Sequence, residues 1–167
     1  MNIADWVRYN HAVRELYFKS LTKLPWVEIV KSRGISFDSI RNVFIHLTLV
    51  EDRWINYTIP GRFKEWVDPN FNDYTNFNQL QSYIIAVKNS TDKFLKNLTP
   101  ESLRRCIVVP WGDKPDSSIS IEIALSHMVM EDLIHYGELS AALWQMDREA
   151  PYLAFWKYMY NKEYLTP

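Results

Sequence analysis

The sequence predicts an all-α fold, a four-helix bundle, on three observations. Four long stretches carry apolar residues at three- and four-residue spacing, the period of an amphipathic helix. The breaks between them are rich in proline, glycine and asparagine. Only two short β-branched runs interrupt the helical pattern, and they are neighbours in the chain. At 167 residues, the expectation is a single domain, 1–167, built on one apolar core.

The first helix is expected from Ile3 to Thr22, with Ile3, Trp6, Val7, Val13, Leu16, Tyr17 and Leu21 on its inner face. His11 stands among Asn10 and Arg14, which predicts a solvated position. Pro25 breaks this helix, a short helical turn restarts there, and Gly34 ends it. The second helix has Ser36 and Asp38 as candidate caps and runs to Tyr57, ahead of Pro60-Gly61. Its apolar face is Ile40, Val43, Phe44, Leu47, Val50, Trp54 and Ile55, with His46 beside it and Arg53 on the same line as His46.

Residues 59–76 lack periodicity, and a loop of that length inside a compact domain usually carries function or lies poorly ordered. Phe63, Trp66, Phe71 and Tyr74 predict a loop packed onto the body, able to cover a cleft. The third helix spans Phe77 to Leu98 and is closed by Thr99-Pro100. Arg105 to Trp111 and Ser117 to Ile121 predict a short extended hairpin, in which Cys106 reads as a small buried apolar residue. The fourth long helix begins near Ser118 or Ser120 and reaches Met146. Its apolar positions include Ile123, Leu125, Met128, Val129, Leu133, Leu139 and Leu143. A short aromatic helix, Tyr152 to Tyr164, is expected to lie across the bundle.

Composition narrows the function. The formal net charge is -1 with no block of like charge, so the electrostatic footprint of a nucleic-acid binder is absent. Seven Trp, ten Tyr and eight Phe residues supply material for pocket walls. Cys106 is the single cysteine, which excludes an intrachain disulfide and a cysteine-rich zinc site and fits a cytoplasmic protein. Neither a secretion signal nor a membrane span is expected, since no run of 18 apolar residues occurs.

Chemistry concentrates on the fourth long helix. With ~100° of rotation per residue, His127, Glu131 and His135 step ~40° apart and Glu138 falls ~20° from Glu131, which makes one face a column of ligating side chains. In a bundle, this face can converge with His46 on one ion. Two imidazoles and a carboxylate suit Zn²⁺, Ni²⁺, Mn²⁺ or Fe²⁺ and leave positions open for water or substrate. The alternative is that Glu131 and His135 form an ordinary i, i+4 pair on a solvated face.

The order of a histidine in His46-Leu47-Thr48-Leu49-Val50-Glu51-Asp52-Arg53-Trp54, then His127-xxx-Glu131-xxx-His135-x-Gly137-Glu138 about 80 residues on, resembles the DinB/YfiT-like superfamily of metalloenzymes. The resemblance covers nearly the whole chain, hairpin included. Members typically carry His-xxx-His-xxx-His-Arg-Gly-Gln on this helix, whose second and third histidines bind metal together with the histidine of the second helix. The resemblance therefore implies His46, Glu131 and His135 as metal ligands. Glu131 departs from the family's usual histidine and Glu138 from its usual glutamine. Two states stay open, a 2-His-1-carboxylate metal site and a polar pocket that has lost its metal. His127, Glu138 and Arg53 are the candidate catalytic or supporting residues: His127 beside the ligands, Glu138 orienting His135 or accepting a proton, Arg53 pairing with a carboxylate. The resemblance implies a metal-dependent enzyme acting on a small molecule, either a transferase using a low-molecular-weight thiol or a hydrolase. It also implies a homodimer. A non-catalytic metal-binding or stress-related bundle is the alternative.

Overall fold

The structure, a computed structural model, describes residues 2–164, with side chains described through residue 161. Four long elements form the bundle: α1 (Ile3–Leu21), α3 (Ile40–Asp52), α4 (Phe77–Lys96) and α6 (Ile121–Trp144). Three short helices accompany them among the described residues: α2 (Trp26–Val30), α5 (Pro100–Arg104) and α7 (Phe155–Tyr164). The hairpin is present, with β1 (Cys106–Val109) antiparallel to β2 (Ser117–Ser120) and Cys106 opposite Ser120. The architecture is thus all-α with one small two-stranded sheet. No helix among the described residues is long and apolar enough to cross a membrane.

Each long helix starts where a side chain can accept the first free amide. Asn2 and Asp5 form a capping box on α1, while Ser39, Asn76 and Ser120 cap α3, α4 and α6. The inner faces meet in one core, in which Leu21, Ile40, Phe44, Leu47, Leu80, Leu125 and Leu139 are almost fully buried. α6 packs against both α1 and α3, and α3 also against α4. That arrangement puts α3 and α6 side by side, which every later feature uses.

Several expectations need correction. The cap of α3 is Ser39, because Phe37 and Asp38 adopt positive φ angles of 57° and 73° and turn the chain before the helix begins. The second helix does not stay α-helical to Tyr57; Arg53–Thr58 widens into a π-helical turn. α4 ends at Lys96, short of Leu98, with Asn97 as its cap, and Thr99-Pro100 instead opens α5, with Thr99 and Ser102 forming its capping box. Cys106 is exposed, since the edge of a two-stranded ribbon buries only one of its faces. Ile123 and Leu133 lie on the solvent side of α6, outside the core. His11 is buried, 7% exposed, held between α1 and α3 by Glu51 at 2.8 Å.

Candidate metal centre

His46 and the α6 pair are brought together by the α3–α6 contact. α3 presents His46 next to its core face, and α6 presents Glu131 and His135 one turn apart. The Nε2 atoms of His46 and His135 lie 3.7 Å and 3.6 Å from the same Glu131 oxygen, Oε2. One donor atom from each residue falls within 4.8 Å of the other two. Donors sharing one ion at bonds of ~2.0–2.2 Å lie about 3.0–3.5 Å apart. The two histidine–Glu131 distances therefore need close by only a few tenths of an ångström, whereas the widest pair, within 4.8 Å, would have to close by about 1 Å for the trio to hold a single divalent cation. The two imidazole rings stand edge to face with centroids 4.8 Å apart.

The support behind the trio is specific. His135 Nδ1 meets Glu138 Oε2 at 2.6 Å, and the other Glu138 oxygen accepts from the Ser36 hydroxyl. Burial pushes the Glu138 carboxyl up, but the hydrogen bonds from Ser36 and His135 outweigh it and hold the carboxyl below its ordinary value. An ionised Glu138 makes Nδ1 the protonated nitrogen of His135 and leaves the Nε2 lone pair facing Glu131. This is the carboxylate–histidine relay that orients imidazoles at metal sites. Both Glu138 oxygens are engaged, so Glu138 acts through His135. Ser36, read from the sequence as a helix cap, serves this relay instead.

Phe37 stacks on His46 with ring centroids 4.0 Å apart and also approaches His135 at 5.7 Å. The long loop contributes Phe71, which packs on Phe37, so the aromatic loop does reach the centre's edge. Burial, with the neighbouring His135, lowers the His46 pKa to about 4 and keeps its ring neutral. A neutral imidazole is the form that donates a lone pair to an ion.

Arg53 lies where α3 widens, and its guanidinium sits 4.6 Å over the Trp111 ring. Burial lowers its pKa, while Asp68 and Glu131 pull it back up. No carboxylate stands within ion-pair distance, and its buried Nε has no hydrogen-bond partner among the described residues. His127 is exposed and sits apart from the trio, edge-on to Trp54 at 5.9 Å.

Sequence reasoning missed a second polar cluster in the same bundle. Arg14 joins Glu51 at 2.7 Å and Asp132 at 2.9 Å, His11 and Thr91 also bond Glu51, and Asn10 bonds Asp132. Burial pushes the Glu51 carboxyl up, yet His11 and Arg14 outweigh it and hold it far below the ordinary range. For Asp132 burial prevails and the pKa is raised. The only sequence signal was a polar triple, Asn10, His11 and Arg14, within an apolar helix.

The model of the DinB family matches residues 1–164 of this chain. Comparison with curated proteins gives no match.

Proposed function

The chain belongs to the DinB family, and we propose that His46, Glu131 and His135 hold one divalent cation for a thiol-dependent group transfer or a hydrolysis. The observation carrying this reading is the convergence of three donors from two helices on one point, with Glu138 fixing the tautomer of His135. A bound divalent cation lowers the pKa of a coordinated water or thiol and supplies a nucleophile near neutral pH. Two imidazoles and one carboxylate suit Zn²⁺, Mn²⁺, Fe²⁺ or Ni²⁺, and three protein donors leave room for that water or thiol.

The remaining residues supply binding and orientation. Phe37 and Phe71 shield one side of the donors from water. Arg53 lies over the Trp111 ring and its Nε has no hydrogen-bond partner among the described residues, which makes it a group suited to the carboxylate of a small substrate or of the thiol itself. The test is elemental analysis of protein purified without an affinity tag, beside His46→Ala and His135→Ala. A stoichiometric divalent ion in the wild type, lost in both variants, is expected. EDTA-sensitive consumption of a low-molecular-weight thiol by an added electrophile would then separate transfer from hydrolysis. A wild type that holds no ion and titrates like its variants would sink the reading.

A further inference from the structure

α6 packs against α1 and α3, and α3 against α4, but the backbones of α1 and α4 barely approach each other. The rings of Phe18 and Phe77, 6.0 Å apart, bridge the two helices near the end of α1. Beyond them the seam opens into a cleft of about 280 Å³. Its walls are Phe18 from α1 and Ile84 and Ile85 from α4, and Ile85 is 48% exposed. The floor is polar. It is made by His11 and Arg14, three residues apart on one face of α1, with side chains only 5% and 3% exposed. His11 Nε2 meets Glu51, and the two terminal nitrogens of Arg14 bond Glu51 and Asp132. His11 Nδ1 and Arg14 Nε are buried without a hydrogen-bond partner. Protein interiors leave few such atoms unanswered, because each carries the desolvation cost of a polar group.

The two nitrogens are complementary. The Glu51 carboxyl is held far below its ordinary range and is ionised, so Nε2 of His11 donates to it, and in the neutral ring Nδ1 is left as an acceptor. Arg14 Nε can only donate. A single hydroxyl answers both, accepting from Arg14 and donating to His11. Charge at the mouth is already matched: Lys19 pairs with Glu15 at 2.7 Å and Lys88 with Asp92 at 2.6 Å, each on its own helix. Glu51 and Asp132 stand behind the floor, so a carboxylate or phosphate in the cleft meets no unpaired cation there. We propose that the cleft between α1 and α4 binds a small neutral molecule with an apolar body and one hydroxyl, an alcohol or a phenol, its body against Phe18, Ile84 and Ile85 and its hydroxyl at His11 and Arg14. At the ~30 Å³ that a water takes in the liquid, the cleft holds about nine non-hydrogen atoms, the size of a phenol with one ring. Both nitrogens are covered from water, so the hydroxyl reaches them with a side-chain shift at the floor, a change common where partners bind. The cation centre draws its donors from α3 and α6, so this cleft is a separate site and needs no bound ion.

The test is calorimetric titration of the full chain in EDTA, which keeps it independent of metal content, with 4-methylphenol, p-xylene and benzoate as probes. 4-Methylphenol is expected to bind once per chain with a Kd below about 1 mM. p-Xylene has the same shape without the hydroxyl and should bind at least about 10-fold more weakly, and so should benzoate, which brings a charge. Ile85→Trp fills the cleft from a half-exposed position, so it should weaken 4-methylphenol at least about 10-fold while thermal unfolding stays unchanged. In the wild type, the nitrogen magnetic resonance signal of His11 Nδ1 should move on addition of 4-methylphenol and stay in place with p-xylene, a readout that needs no variant. No binding of 4-methylphenol up to about 10 mM would overturn the proposal. So would p-xylene or benzoate binding as tightly as 4-methylphenol, binding that survives Ile85→Trp, or a His11 signal that does not respond.

Discussion

Two polar clusters in this bundle both combine histidine with carboxylate and both draw on α3 and α6, yet they are built differently. Glu51 stands five residues after His46 on α3, and Asp132 directly follows Glu131 on α6. One cluster is closed: Arg14 bridges Glu51 and Asp132, so the cation they require is a side chain of the protein. The other is open: His46, His135 and Glu131 bring three donors together, and among the described residues no lysine or arginine forms an ion pair with Glu131, Arg53 acting on it only from a distance. A buried carboxylate without a counter-charge is costly, which is why Glu51 and Asp132 are tied to Arg14, whereas the Glu131 side chain, 29% exposed, keeps contact with water.

Breaking the closed cluster should have the largest effect. Arg14→Met strands two buried carboxylates and should destabilise the fold by about 3–5 kcal/mol in urea unfolding. If it costs no more than His46→Ala, the contrast between the clusters fails. In the open cluster, His46→Ala and His135→Ala should lower affinity for a divalent cation by more than about 100-fold, read by calorimetric titration. Their unfolding in EDTA should change less than that of Arg14→Met. Glu138→Ala leaves the donors in place but frees the His135 ring, and the expected loss is about 10- to 100-fold in affinity.

The smallest expected effect is in acid. The Glu51 pKa is held below its ordinary value of 4.5, so its contribution is complete above that pH and is lost as pH falls below it. Asp132, whose pKa is raised, contributes in the opposite sense, gaining stability as it is protonated. The difference between wild type and Glu51→Gln isolates the first term. The variant's stability should vary less with pH, by on the order of 1 kcal/mol between about pH 5 and pH 3. Parallel curves for the two proteins would show that Glu51 is not the titrating group.

The hairpin, the four long helices and the proximity of Glu131 to His135 were legible in the sequence, because each depends on periodicity or on neighbours within a few residues. His46 joined them only through resemblance and the expectation of a bundle. The misplacements are informative. His11 has polar neighbours on its own helix, and its burial against Glu51, forty residues away, leaves no local trace. Ser36 has the chemistry of a helix cap, and only the fold carries it to Glu138, 102 residues along the chain.

Ile123 and Leu133 show the limit most directly. Apolar character says that a residue is better out of water, without naming what excludes the water. Helix, turn and ligand spacing are short-range properties of backbone geometry, so the sequence by itself determined them. Which apolar face enters the core, which carboxylates find Arg14 and which stands between two histidines are settled by contacts between distant segments. Those exist only once α3 and α6 are packed side by side.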